Sequence, residues 1–270
     1  MSFWRSAISV RGEQRVVAIA NQKGGVGKTT TAVNLGAALA AGGRRVTVVD
    51  LDPQGNASTG LGIGAEARGT TSYDLLAGEA TMAEAERETG IPNLFVIPAT
   101  ADLTSAELDF GAAPGRLQRL REALGRGRSP SDVVIIDCPP ALGLLTLNAL
   151  VAAQGLVVPL QSEFYALEGL SQLLLTLREV RRSANPGLRL DGVVLTMVDG
   201  RNRLAQQVEA DARATLGEVV FRTVIPRNVR LSEAPSHGLP VSAYDPASRG
   251  ATAYASLAAE YLERISEGVS

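Results

Sequence analysis

The stretch Lys23-Gly24-Gly25-Val26-Gly27-Lys28-Thr29-Thr30 constrains the chain more than any other. It follows an apolar run, Val16–Ala20, that reads as a buried strand, and precedes a periodic apolar segment, Thr29–Ala41, that reads as a helix ending at Gly42-Gly43. A strand, a glycine loop and a helix in this order make an anion site. The glycines let backbone amides converge on a phosphate, and the helix N-terminus adds its partial positive charge. Lys28 is expected to reach the β- and γ-phosphates of a nucleotide and the Thr29 hydroxyl to ligate Mg²⁺.

The loop departs from the common pattern G-x-x-x-x-G-K-[ST]. Counting back from Gly27, the first glycine falls at position 22, which is Gln22. A second lysine, Lys23, stands before the glycine pair instead. This arrangement resembles the deviant Walker A motif of the ParA/MinD family of ATPases. Composition sharpens the point: of 26 Lys and Arg residues only Lys23 and Lys28 are lysines. Arginine is a broad planar fork and lysine a compact point charge on a thin stem, so a tight phosphate cradle favours lysine.

Apolar runs alternate with helical patterns along the rest of the chain. The expected fold is α/β: a doubly wound, mostly parallel sheet flanked by helices, of the P-loop NTPase type. Expected strands are Val16–Ala20, Arg45–Asp50, Leu94–Pro98, Val133–Asp137, Gly155–Leu160, Gly192–Val198 and Val219–Ile225. Expected helices are Thr29–Ala41, Ser72–Ala77, Gly115–Leu124, Leu144–Ala153, Ala166–Ser183, Leu204–Leu216 and Gly250–Ser266. Residues 1–14 read as a short flexible lead and 15–270 as a single domain, a size that doubly wound domains reach. Within 125–130 the run Gly-Arg-Gly-Arg-Ser-Pro reads as a loop.

Two strand ends carry carboxylates. The second strand runs into Asp50-Leu51-Asp52-Pro53-Gln54-Gly55-Asn56, and Val133–Asp137 into Cys138-Pro139-Pro140. Such ends face the ligand crevice of an open α/β sheet. Four apolar residues followed by Asp137 make a Walker B pattern, whose carboxylate holds Mg²⁺ directly or through water.

Taken with these, Phe164-Tyr165-Ala166-Leu167-Glu168-Gly169 and the run from Ile225 to Ser236 look like the chromosome-partitioning ParA/Soj branch of the family. The resemblance extends from about Val16 to the C-terminus. It implies an ATPase with ATP and Mg²⁺ as cofactors and a site built from Lys23, Gly24, Gly25, Val26, Gly27, Lys28, Thr29 and Thr30. Lys23 would be the signature lysine that crosses an ATP-bound homodimer to the partner's phosphates. Gly24 would lie at the dimer face, and Asp52 would position the attacking water. Thr29 would ligate the metal directly, Asp50 and Asp137 through its waters. Met197, Pro226 and Asn228 would lie near the adenine. It further implies non-specific binding of double-stranded DNA, a ParB/Spo0J-type partner that stimulates hydrolysis, and a cytoplasmic, nucleoid-associated protein.

Charge bears on the DNA expectation. The whole chain is at −2, but from Arg178 to Arg230 ten arginines face six acidic residues. Arg201 and Arg230 match the family positions tied most directly to DNA, with Arg203 and Arg227 as further candidates in loops or helix starts where guanidinium groups reach phosphates.

Other readings are weaker. A membrane regulator like MinD needs a basic amphipathic C-terminal helix, and this one carries Glu260, Glu263 and Glu267 against Arg264. A reductase like the nitrogenase iron protein needs two cysteines per subunit, and the only cysteine is Cys138, which also excludes an internal disulfide. A non-hydrolysing scaffold on DNA is disfavoured by the presence of Lys23, Lys28 and Asp52. No run is long enough to span a membrane and no signal peptide is visible. His237 and Cys138 are expected to be structural.

Overall fold

The computed structural model describes residues 14–126, 130–162 and 166–267. The strands are β1 (Arg15–Ile19), β2 (Val46–Asp50), β3 (Arg87–Glu88), β4 (Leu94–Ile97), β5 (Val133–Asp137), β6 (Gly155–Gln161) and β7 (Arg189–Thr196). They form one sheet in the order β3-β4-β2-β5-β1-β6-β7. Every neighbouring pair is parallel except β3–β4. The helices are α1 (Lys28–Ala41), α2 (Asn56–Gly60), α3 (Ser72–Ala77), α4 (Met82–Ala85), α5 (Ala106–Phe110), α6 (Arg119–Gly125), α7 (Leu144–Ala152), α8 (Ala166–Ser183), α9 (Arg203–Leu216), α10 (Val229–Glu233), α11 (Val241–Tyr244) and α12 (Arg249–Glu267).

The central strands are buried on both faces, which is why they read as unbroken apolar runs. Side-chain alternation divides the core in two. Val17, Ile19, Val48 and Ile135 face a layer made by α1 and α12, and Val16, Ala18, Val49 and Ile136 face a layer that includes α3, α6, α7 and α8. In α12, Tyr254, Leu257, Ala258 and Tyr261 are buried in the first layer, so the last helix packs on the domain with its apolar face. Among the described residues no helix is long and apolar enough to cross a membrane.

Most expected elements are found within a few residues, and the exceptions have physical causes. The segment 219–225 is not a strand. It runs beside β7, with Phe221 donating to the Val193 carbonyl at 2.8 Å and Ile225 to Leu195 at 2.8 Å. Between these bonds, the amides of Arg222 and Thr223 go to the Glu260 carboxylate of α12, at 2.7 and 2.9 Å. A side chain thus takes the place of a strand partner. Helix α6 starts at Arg119 and not Gly115, because Gly115 has φ +72° and cannot lie inside a right-handed helix. β7 stops at Thr196 because Met197 takes φ +54°. β3 and the short helices α2, α4, α5, α10 and α11 leave too few residues for a period to show in the sequence. The expected lead falls almost wholly on residues 1–13, which lie outside the described residues, as do 127–129 of the expected loop, Phe164 and Tyr165.

Candidate nucleotide site

β2, β5 and β1 are adjacent, and their register sets Asp50 opposite Asp137 and Asp137 opposite Ile19. Three strand ends therefore deliver the glycine loop, the Asp50–Asn56 turn and Asp137 to one crest of the sheet, outside the carboxyl ends of the strands.

The loop is pinned at both halves. Asn21, 3% exposed, donates from Nδ2 to the Pro159 carbonyl at 2.7 Å and accepts the Lys23 amide on Oδ1 at 3.0 Å. On the other side the Thr196 hydroxyl donates to the Val26 carbonyl at 2.9 Å, tying the loop to the end of β7. Neither anchor was legible in sequence, because each lies on the far side of a tertiary contact. Gly25 and Gly27 have φ +75° and +87°, a region open to glycine and costly for other residues. Gly27 is also the N-cap of α1. It brings no side-chain cap, and the first turn holds no acidic residue, so the first amides of the helix keep their capacity for an anion. Gly24 differs: its φ is not in the left-handed region, and a Cβ there would meet nothing nearer than the Pro140 Cβ at 3.9 Å.

Lys28 is buried and its Nζ donates to the Lys23 carbonyl at 2.8 Å. Burial pulls its pKa below the ordinary lysine value, against the opposing charge of Asp137. Asp137 is fully buried; the Thr29 hydroxyl is the polar group beside it, and neither carboxylate oxygen makes a well-formed hydrogen bond. Burial, then the nearby Asp50 charge, push its pKa well above the usual carboxylate range. A carboxylate held this way calls for a positive group or a polar ligand beside it.

Asp50 is equally buried but fully engaged. Its Oδ1 accepts the Asp52 amide at 3.1 Å, and its Oδ2 accepts the Ser58 amide at 2.9 Å and the Ser58 hydroxyl at 2.7 Å. Burial raises its pKa to about 6, with the Ser58 bonds working against the rise. Asp52, two residues on, is 8% exposed, and its Oδ1 accepts the Gln54 amide at 3.0 Å. The described residues contain no cluster of three or more His, Cys, Asp or Glu that could cage a metal by themselves.

Met197, Pro226 and Asn228 are brought together at the end of β7. Val198 donates to the Ile225 carbonyl at 3.0 Å and Arg227 to the Val198 carbonyl at 3.1 Å, so the two segments run side by side. Met197 is 38% exposed, and it follows Thr196, which holds the glycine loop. The Asn228 side chain accepts the Arg230 amide at 2.8 Å, capping α10.

The arginines vary. Arg201 and Arg227 are exposed. Arg230 is half exposed and paired with Glu233 at 2.8 Å and Asp245 at 3.2 Å. The side chain of Arg203 lies outside the described residues. Part of the basic excess is neutralised locally, through Arg213–Glu209 and Arg222–Glu263 pairs. Cys138 is buried beside Asp137, and burial pushes its thiol far up, so it is an inert core residue. His237 is exposed and stacks on Tyr244, with ring centroids 4.8 Å apart.

Comparison with known proteins agrees with this geometry. A family model described as an AAA domain matches residues 14–190. The chain is 57% identical over 252 residues to the chromosome partitioning protein ParA of Caulobacter vibrioides, covering 93% of this chain and 94% of that protein. It is 52% identical over 246 residues to the sporulation initiation inhibitor protein Soj of Bacillus subtilis, covering 91% and 97%. Among solved structures, a cobyrinic acid a,c-diamide synthase from Mycobacterium smegmatis with bound ATP analogue and magnesium superposes with TM-score 0.85 at 38% identity, over 95% of this chain and 97% of the other. The cell division ATPase MinD of Pyrococcus furiosus gives 0.76 at 29% identity, over 95% and 100%. The chain belongs to the ParA/Soj family of chromosome-partitioning ATPases.

Proposed function

We propose that the chain is an ATP-driven switch for DNA segregation. ATP with Mg²⁺ closes a sandwich homodimer, the dimer binds double-stranded DNA without sequence preference, and a ParB-type partner stimulates hydrolysis and release. In this reading Lys28, the loop amides from Gly24 to Thr30 and the helix dipole of α1 hold the phosphates. Thr29 would hold Mg²⁺ through its hydroxyl. The fit of the metal rests on Asp137, whose two oxygens are buried near Thr29 and Lys28 without a well-formed hydrogen bond. A hydrated dication would satisfy both. Asp50, with its oxygens already engaged, contributes charge and holds the turn that carries Asp52. The metal supplies charge neutralisation at the β- and γ-phosphates. Asp52 orients the attacking water, and Met197, Pro226 and Asn228 flank the base.

The observation that carries the dimer is Gly24. Nothing among the described residues requires glycine there: the backbone is not left-handed and a Cβ has room. A surface from outside the chain that packs against the loop would give glycine a role there, and Lys23 beside it would reach into that surface. Light scattering with Mg-ATP tests the assignment. Asp52→Ala binds ATP and accumulates as dimer, because only the water-positioning group is gone. Lys23→Ala binds ATP and stays monomeric. A monomeric or normally hydrolysing Asp52→Ala, or a dimeric Lys23→Ala, contradicts the roles.

A further inference from the structure

We propose that Arg68 is a positioning residue for Asp52. Arg68 follows the short 3-10 turn Ala65–Ala67 and is 8% exposed, far from the glycine loop in sequence. Its guanidinium donates to the Ala99 carbonyl at 2.8 Å, the Gly55 carbonyl at 3.2 Å and the Thr59 hydroxyl at 2.9 Å. No carboxylate pairs with it among the described residues, and its Nε is buried without a partner. A charged group buried against neutral acceptors is a poor way to stabilise a core, and an apolar side chain of similar size would usually pack there at lower cost. What the guanidinium does is join three pieces of chain: the turn after β2, the last turn of α2 and the segment after β4.

That turn is the one carrying Asp52. Gly55 donates its amide to the Asp52 carbonyl at 2.9 Å, and Gln54 donates to the Asp52 carboxylate at 3.0 Å. Gly55 has φ +63°, and a Cβ there would overlap the Arg68 guanidinium. Ser58, one residue before Thr59, binds Asp50 and also donates no freedom to the turn, since its Oγ accepts the Ala99 amide at 3.0 Å. Arg68 therefore closes from outside a loop that Asp50 closes from inside, and Asp52 lies between the two clamps. The arrangement fixes a carboxylate to the tolerance that a water-orienting group needs, where a displacement of about 1 Å costs on the order of a hundredfold in rate.

The inference rests on the reading of Asp52 given above, and the test separates the two. Mg-ATP affinity and single-turnover hydrolysis are measured for the wild type, Arg68→Met, Asp52→Ala and the double variant. Arg68→Met is expected to bind ATP within about threefold of wild type while its hydrolysis rate falls about tenfold to a hundredfold. Arg68→Lys recovers part of the rate. On the Asp52→Ala background, Arg68→Met costs nothing further, because the group it positions is absent. A wild-type rate in Arg68→Met overturns the proposal. So does a parallel loss of affinity and rate, or a double variant well below Asp52→Ala, each of which makes Arg68 a structural residue only. A wild-type rate in Asp52→Ala alone removes the Asp52 reading and this proposal with it. If Arg68→Met does not fold, Arg68→Gln takes its place with the same expected split between affinity and rate.

Discussion

Lys28 and Asp137 are buried groups of opposite charge near a loop rich in amides, and neither is joined to the other by an ion pair. The lysine is held below its ordinary pKa by burial and the aspartate above its own, so both gain from a phosphate and its counter-ion. Lys28→Ala removes the one buried cation of the cradle. Loss of a charge-assisted hydrogen bond is worth about 1.5–3 kcal/mol, so labelled-ATP binding is expected to weaken by about tenfold to 150-fold. Affinity near wild type would remove the phosphate role from this loop. The residues legible in sequence were those whose meaning is local: two lysines, the glycines with positive φ, and aspartates at strand ends. Asn21, Thr196 and Arg68 were not, because each acts on a partner far along the chain. Asp50 and Asp52 looked equivalent in sequence. The structure separates them, since Asp50 alone is engaged by Ser58.

At the scale of elements, the strands of the sheet centre were legible because burial on both faces leaves an unmistakable apolar run. The segment 219–225 carries the same signal for a different reason. Its apolar residues pack on β7 and α12, while its central amides are satisfied by Glu260. In sequence this glutamate counts only as one of the acidic residues of the last helix, yet it is 5% exposed and also pairs with Arg264 at 3.1 Å. Burial alone would raise its pKa, and the Arg222 and Thr223 amides bring it below the ordinary glutamate value of 4.5. A depressed folded-state pKa gives stability that is present above the unfolded value and lost as pH falls through the folded one. Glu260→Gln is therefore expected to lose about 1.5–3 kcal/mol of unfolding free energy at neutral pH. Urea denaturation at a series of pH values checks this. The gap between the two proteins should close on acidification below the ordinary glutamate range, and a gap constant with pH would mean that packing, not charge, is what the substitution removes.

On the scale of the whole molecule, an acidic protein binds a polyanion only by concentrating its arginines. The region from Arg178 to Arg230 does this in sequence, and in the fold Arg201 and Arg227 remain exposed near the end of β7 while Arg230 is shared with Glu233 and Asp245. How much of the basic excess is neutralised by local pairs was not legible, because charge counts carry no geometry. If the dimer doubles these contacts along one duplex, binding becomes bivalent and steeply dependent on salt. Arg201→Ala should weaken DNA binding equally for unrelated sequences and lower the salt slope by roughly one to two units in a symmetric dimer. Arg230→Ala should act in the same direction but by less, since its charge is partly taken by two carboxylates. Dimer formation with ATP should survive in both. An unchanged slope in both variants would move the DNA surface elsewhere.

In the proposed switch, the P-loop, the dimer and the arginines matter to segregation only if nucleotide gates the affinity for DNA. The direct measurement is equilibrium binding of the unmodified protein to two duplexes of unrelated sequence, with Mg-ATP, with Mg-ADP and without nucleotide. Tight binding to both duplexes with Mg-ATP, and weak binding in the other two conditions, is the expected result. Equal affinity in all three conditions, or strong preference for one duplex, would contradict it.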